Sequence, residues 1–321
     1  ASADGASAML ATLSAAVEEI RALCRGALVF DAMAALERLE GHFKLLETEF
    51  VGDREAVDRL AEEVKQDAMF DALRATHKRM TQTVSRLGHG MLPSGPDDRR
   101  WVHTNLQDST IGDDFTADIY LRFATSGEKE PGSAHTQLLT CGYLKSFPMD
   151  VDRFVSVYRE TDLYLKEWLA DCERCEGQVA GPERLNSALS HITNASPILP
   201  IKLDVVTVRE FAVCPAESPI GDRGPGVFIQ DLGAPHDAKD FAGWQMPPHV
   251  PRSLRLSQLS LVLYFTPSAK RDGYCDVFAL GRVGASIPQW MLPLSLLKRF
   301  LANHFMSVFK AIKTNIVDDW D

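Results

Sequence analysis

The sequence predicts an α+β protein, in which a curved antiparallel β-sheet grips a long C-terminal α-helix and an N-terminal α-helical region precedes the sheet. Three observations support this. Apolar residues recur every three or four positions from Ser7 to about Leu87, alternate with other residues in segments after Arg100, and recur at helical spacing from Trp290 to Ile312. Because helices repeat every 3.6 residues and strands every two, these changes divide the chain into helix, sheet and helix.

Length and composition indicate a globular protein of about two domains. The chain has 321 residues, of which 45% are hydrophobic and 24% charged. Its 44 acidic and 34 basic side chains give a net charge of -10, which opposes phosphate-rich partners, so we expect no nucleic acid partner. A local basic patch remains compatible with transient peripheral membrane contact. We find no apolar run of roughly 18 residues, the length needed to span a bilayer.

The cysteines indicate a reducing compartment. Six of them are dispersed along a chain long enough to fold without disulfides: Cys24, Cys141, Cys172, Cys175, Cys214 and Cys275. The pair Cys172 and Cys175 forms a CxxC without a second one, so we predict no metal site and no cofactor. We expect a cytoplasmic protein, or an organellar one after removal of a targeting segment, since Ala1 is not an initiator Met.

The N-terminal region is predicted to be a helical hairpin or bundle. Val51-Gly52-Asp53 interrupts its helical pattern, and Asp53 is a candidate N-cap for the next helix. The segment from Leu87 to Asp98 then contains three glycines and two prolines, a composition typical of a linker. We therefore predict two domains, residues 1–95 and 96–321.

After the linker the sequence predicts mainly strands. Phe115–Phe123 and Thr136–Leu144 form a predicted hairpin, and a short helix is expected from Val151. Further strand candidates are Leu203–Cys214, Gly226–Leu232, Leu254–Thr266 and Tyr274–Val283. The short connections between them favour an antiparallel meander, and no strand–helix–strand repeat indicates a parallel sheet.

The C-terminal segment predicts a long amphipathic helix. Pro288 lies near its first turn, and Asn315 lies near its end. A helix of this length extends roughly 40 Å, enough to cross a sheet of six or seven strands.

The order of these elements resembles the START family, the StAR-related lipid-transfer domains of the helix-grip superfamily. The segments that carry the resemblance are Phe147–Trp168, Pro197–Arg209 and Gly284-Ala-Ser-Ile-Pro-Gln-Trp-Met-Leu292, within residues 100 to 318. Lys202-Leu-Asp204 replaces a common Arg-Asp pair, and the Trp-Asp dipeptide of better-known members is absent near Trp168. The chain thus looks like a divergent member, which implies binding or intracellular transfer of a lipid or other hydrophobic ligand between sheet and helix.

The resemblance indicates which side chains would line such a cavity. The candidates on strands are Tyr120, Arg122, Tyr143, Arg209 and Tyr264, and those on the C-terminal helix are Trp290, Leu294, Leu297, Leu301 and Phe305. Alternation places Tyr120 and Arg122 on one face and Leu121 and Phe123 on the other. Facing inward, Arg122 would hold a carboxylate or phosphate; facing outward, it would lie in solvent. The helix residues fit a pocket wall and a packed core equally well.

No catalytic pattern accompanies these residues. The nine histidines form no HxH, HExxH or i, i+4 pair, and no GxSxG motif is present. We therefore predict a protein that is not an enzyme. The competing prediction is a non-catalytic interaction or assembly subunit that binds a protein partner through its N-terminal helices.

Overall fold

The structure is a computed structural model, and the residues it describes are 3–49, 54–88, 92–129, 136–159, 172–179, 185, 187–195, 202–216, 218–235, 238–256, 258–285 and 288–318. The chain divides into two compact units. The first contains Ala1–Gln82, Val179–Ser187 and Glu210–Cys214, and the second contains Thr83–Gln178, Ala188–Arg209 and Pro215–Asp321. The domain boundary read from the Gly/Pro-rich segment stays a prediction.

The first unit is built on α-helices whose bounds are α1 Ala3–Arg25, α2 Val29–Glu49, α3 Arg54–Gln66 and α4 Ala68–Gly88. Apolar residues at helical spacing, such as Leu13, Val17 and Ile20, are buried as the pattern predicts. α1 ends where Ala27 adopts a left-handed backbone conformation with φ of 57°. Asp67 caps α4, because its carboxylate accepts a hydrogen bond from the backbone N–H of Met69 at 2.8 Å. The N-cap predicted at Asp53 lies outside the described residues.

The second unit contains most of a ten-stranded sheet. Its strands are β1 Val102–Gln107, β2 Thr116–Phe123, β3 Thr136–Phe147, β4 Cys172–Val179, β5 Ala188–Ala195, β6 Lys202–Cys214, β7 Gly226–Gly233, β10 Ser253–Arg255, β11 Gln258–Pro267 and β12 Cys275–Ala285. The order across the sheet is β1-β2-β3-β12-β11-β7-β6-β5-β4, and β10 pairs with β6 in parallel. Two short strands, β8 Asp240–Phe241 and β9 Trp244–Gln245, form a separate hairpin.

This order confirms the meander predicted for the four later strands, because β6, β7, β11 and β12 are successive neighbours in the sheet. β3 pairs with β12, and Phe147 of β3 is opposite Cys275 of β12. These two residues lie about 130 positions apart in the sequence. The pairing is antiparallel, and it joins the early hairpin to the last strand of the meander, in the interior of the sheet. β1, β4 and β5 were not among the predicted strands. The CxxC cysteines, Cys172 and Cys175, lie within β4.

A short helix, α5 Val151–Arg159, follows β3. The C-terminal helix is α6, Leu294–Ile312. α6 begins later than Pro288 because a short 3-10 turn, Gln289–Met291, precedes it and Pro293 occupies its N-cap. A π-helical turn, Lys313–Asp318, follows it. α6 contacts β1 and β2, while α5 contacts β7 and β11. The predicted fold class, an α+β chain with an antiparallel sheet and a long C-terminal helix preceded by helices, is confirmed.

Candidate functional site

The candidate site is the face of the sheet against which α5 and α6 pack, which we call the helix face. Phe265 of β11 identifies it, because its ring lies 5.1 Å from the ring of Phe154 on α5. The strand registers place Val277 of β12, Leu144 of β3 and Ala117 of β2 on the same face. The neighbouring residues along each strand lie on what we call the opposite face.

One end of the helix face is filled by aromatic side chains. Phe309 of α6 lies 5.4 Å from Phe147, 5.9 Å from Phe115 and 6.4 Å from Phe154, measured between ring centroids. All of these rings are buried. Contacts at these separations are typical of favourable aromatic pairs, so this cluster fixes the C-terminal half of α6 against the sheet.

The other end of the helix face is less tightly covered. The side chains of Phe123, Leu138, Leu259, Leu261 and Val283 lie on this face by register, and all are only half-buried. Between them β3 and β12 carry small residues, Thr140, Gly142, Ala279 and Gly281.

A groove of about 620 Å³ lies at the beginning of α6. Its walls are Phe123, Gln289, Trp290, Leu292, Pro293 and Leu294. Because Phe123 belongs to the helix face, the groove adjoins the less tightly covered end of that face. Its volume is within the range of small-molecule pockets, and its walls are mainly apolar.

The helix face also carries a buried ion pair. Nε and Nη2 of Arg209 donate to the two carboxylate oxygens of Asp231 at 2.6 and 2.7 Å. Nη1 donates to the backbone carbonyl of Tyr158 at 2.8 Å, and the guanidinium lies 3.9 Å from the centroid of the Tyr158 ring. The Tyr158 hydroxyl in turn donates to Asp231 at 3.2 Å. Since both charges are paired and bonded, Arg209 presents no free positive charge to a ligand.

A further polar atom on this face has no bond within the described part of the chain. Ser190 of β5 is opposite Thr207, two residues from Arg209, and is 0% exposed. Its hydroxyl oxygen has no hydrogen-bond partner among the described residues. A buried hydroxyl without a partner is destabilising, so this position favours a water molecule or a polar group of a ligand.

The other strand residues predicted for the site lie on the opposite face. Tyr120, Tyr143 and Tyr264 belong there by register, and Tyr264 donates to the backbone carbonyl of Gly224 at 2.7 Å. The rings of Tyr120 and Tyr143 meet edge to face at 6.0 Å. Burial raises the pKa of Tyr143 to about 12. The structure thus brings Tyr120 and Tyr143 together, on the face away from α6.

Arg122 is on the opposite face as well, but it is buried rather than solvated. It is 7% exposed and donates to both carboxylate oxygens of Glu128 at 2.7 and 2.6 Å. These bonds hold the pKa of Glu128 at about 2, well below its usual range. Neither alternative considered for Arg122 from the sequence describes it, since it neither faces the helix nor lies in solvent.

The predicted residues of the C-terminal helix have different environments. Leu297 is buried, Leu294 and Leu301 are half-buried, and Trp290 is 82% exposed. Phe305 lies within α6, but its side chain is outside the described residues. Leu294 and Trp290 line the groove, whereas the aromatic cluster is contacted by Phe309, which the sequence analysis did not single out.

Sequence reasoning also missed Asp231, Tyr158 and Ser190. Asp231 lies in β7, where a carboxylate among Val, Phe and Ile is a signal of a paired buried charge. Tyr158 belongs to the short helix predicted from Val151, but its hydroxyl gave no signal of a buried partner. Ser190 carried no signal, because β5 was not recognised as a strand.

Solved structures similar to this chain include StAR-related lipid transfer domains. Human StAR-related lipid transfer protein 5 is 12% identical over 77% of this chain and 100% of that one, with a TM-score of 0.47. Human STARD10 is 12% identical over 76% and 80%, with a TM-score of 0.45. A STAR-related lipid transfer protein from Xanthomonas axonopodis is 17% identical over 67% and 97%, with a TM-score of 0.43.

No protein-family model matches the chain, and no curated protein matches it. Among the helices that the structure describes, none is both long enough and apolar enough to cross a membrane.

Proposed function

We propose that this protein reversibly binds, and transfers between membranes, one lipid or other hydrophobic molecule held between the helix face and α6. The observation that carries the proposal is the contrast along the helix face. Buried rings fill the end near Phe309, whereas apolar side chains such as Leu261 and Val283 stay half-buried at the other end. Apolar surface that is turned toward a helix and yet accessible is favourable to cover with an apolar ligand.

The groove at the start of α6 supplies the access route in this proposal. It adjoins the half-buried end of the helix face through Phe123, and its other walls come from the turn before α6. Displacement of that short turn would widen the groove while the aromatic cluster holds the far end of α6. We propose carriage without catalysis, since binding requires only the apolar walls and the paired polar groups described above.

The polar end of the ligand would lie near Arg209, Asp231 and Ser190. Because the Arg209 and Asp231 charges neutralise each other, this region offers hydrogen bonds rather than net charge. The Ser190 hydroxyl, which has no hydrogen-bond partner among the described residues, would gain a bond from a ligand oxygen or nitrogen.

Native mass spectrometry and lipid extraction of the purified protein test the proposal. We expect a stoichiometric hydrophobic ligand in the wild-type protein. Val283→Trp adds a large side chain to the half-buried end of the helix face and should remove the ligand. Ser260→Trp adds the same side chain to the neighbouring strand on the opposite face and should retain it. Failure to find a ligand across a range of lipid classes would overturn the proposal, as would equal loss in both variants.

We also propose that the turn before α6 makes transient contact with membranes. Trp290, Met291 and Leu296 are 82%, 38% and 45% exposed, and Lys298 and Arg299 follow in the next turn. Exposed Trp beside Lys and Arg is typical of segments that lie at a membrane surface. Vesicle sedimentation should show weaker association for Trp290→Ala, while Leu45→Ala, which removes another exposed apolar side chain, should have no effect. Unchanged association of Trp290→Ala would contradict this role.

The alternative role of the N-terminal helices in binding a protein partner stays a separate prediction. Deleting residues 1–95 distinguishes it from carriage. Loss of a partner with ligand binding intact supports assembly, and the reverse result supports carriage alone.

A further inference from the structure

A second cavity lies at the opposite end of α6 from the groove, within the second unit. Its volume is about 550 Å³, and it is formed where residues 109–113, 148–153, 271–274 and 313–317 meet. These segments are the loop after β1, the start of α5, the β11–β12 turn and the last helical turn of the chain. The cavity is separate from the helix face that the proposed function uses.

The lining combines an apolar floor with a polar rim. Ile111 and Met149 are both buried, and Pro148 and Val317 are apolar. Hydroxyl groups come from Ser109 and Thr110, and the ring of Tyr274 completes one wall. Such a lining suits a small molecule that has both an apolar body and a polar group.

Positively charged side chains outnumber carboxylates around the rim. Arg153, Arg271 and Lys313 line the cavity, against Asp113 and Asp150. One oxygen of Asp150 already accepts a hydrogen bond from the backbone N–H of Arg153 at 2.8 Å, which caps α5. The chain as a whole has a net charge of -10, whereas the side chains that line this cavity carry more positive than negative charges.

A neighbouring carboxylate is also neutralised. Asp108, at the root of the loop after β1, accepts from Nζ of Lys310 at 2.7 Å. Arg271 lies 4.3 Å from the centroid of the Tyr274 ring, so its guanidinium is held beside the cavity by a cation–π contact. The N-terminus of α5 adds its positive dipole end to the same region.

We propose that this cavity binds a small organic anion, with a phosphate or carboxylate on the cationic rim and an apolar body on the floor of Ile111 and Met149. The ligand would connect the end of α6 to the start of α5 and to the β11–β12 turn. A phosphate could come from a free metabolite or from a lipid headgroup, and the chemistry of recognition is the same for both. The proposal does not depend on lipid carriage along the helix face.

Isothermal titration of the full chain tests it with phenyl phosphate, with inorganic phosphate, and with phosphatidylcholine vesicles that contain or lack phosphatidic acid. We expect saturable binding of phenyl phosphate, or of the phosphatidic acid vesicles alone if the source is a headgroup. Higher salt should weaken either form of binding. Arg271 is exposed, and Arg271→Gln should lower the affinity about tenfold, because this is the usual effect of removing one charged hydrogen bond. Lys313→Gln should lower the affinity by a similar factor.

Lys270→Gln is the matched control, because Lys270 is exposed on the same turn but does not line the cavity. It should leave the affinity unchanged. Absence of binding by all the probes would overturn the proposal. So would an equal loss in Lys270→Gln, or unchanged affinity in both Arg271→Gln and Lys313→Gln.

Discussion

Replacing Arg209 tests whether the ion pair on the helix face is a desolvated structural element. Arg209→Met keeps most of the side-chain volume but removes both bonds to Asp231 and the bond to the Tyr158 carbonyl. Asp231, which is 4% exposed, would retain the Tyr158 hydroxyl as a donor but lose its counter-charge. Removing one partner of a buried ion pair costs about 3–5 kcal/mol, so we expect a loss of this size in the free energy of unfolding.

Urea unfolding followed by circular dichroism and tryptophan fluorescence measures this loss, and two further variants make the result specific. Arg299→Met, at an exposed position of α6, should change stability by no more than about 0.5 kcal/mol. The double variant Arg209→Met/Asp231→Leu should recover much of the loss, because it leaves no unpaired charge. A cost below about 1 kcal/mol for Arg209→Met would refute the reasoning, as would a double variant whose cost equals the sum of the single ones.

Three other substitutions or treatments test separate parts of the fold. Burial acts to raise the pKa of Asp204, but bonds from His191, Val250 and Arg255 outweigh it and the net pKa is lowered. The ionised carboxylate therefore stabilises the fold above the unfolded pKa of about 4, and this stability is lost as the pH falls through the folded pKa. In Asp204→Asn the melting temperature should therefore change less with pH in the acid range than it does in the wild type. Phe309→Ala should cost about 3–5 kcal/mol in urea unfolding and expose the amides of α6 to hydrogen exchange. Burial raises the pKa of Cys141 to about 12, so this thiol should react with a disulfide reagent at pH 8 only after denaturation.

Each of these tests has a result that contradicts it. Asp204→Asn with the same acid dependence as the wild type would show that other carboxylates dominate acid unfolding. Leu296→Ala, at a 45% exposed position of α6, should cost far less than Phe309→Ala, and equal costs would remove the role given to the aromatic cluster. Rapid labelling of Cys141 in the folded protein would show that the sheet opens at that strand.

Strands with alternating or continuous apolar residues were predictable, whereas strands made of polar residues were not. β5 contains Ser190, His191, Thr193 and Asn194, a composition that indicates a loop when only hydrophobic spacing is considered. The strand exists because partners on other strands satisfy part of this polarity. Asp204 of β6, which is 0% exposed, accepts from His191 at 2.7 Å and from Arg255 at 2.9 Å. Such compensation depends on contacts between distant residues, which local composition cannot show.

The end of β3 raised the same difficulty for topology. Its pairing with β12 brings together residues on either side of most of the second unit. Short connections between later strands do not reveal this pairing, because it closes a long loop rather than a turn. The sequence therefore predicted the order of the four later strands, but not the pairing that joins them to β3.

The choice of face limited the prediction of the site more than the identification of strands did. Alternation along β2 correctly separated Tyr120 and Arg122 from Leu121 and Phe123, but a period of two is symmetric between the faces. The asymmetry was nevertheless present in β2, where Ala117, Ile119, Leu121 and Phe123 form one set without a polar side chain. A set of this kind must be covered by another element, and the long amphipathic helix is the element that can cover it. Polar residues on the other set then need partners of their own, which is why Arg122 is paired with Glu128 rather than available to a ligand.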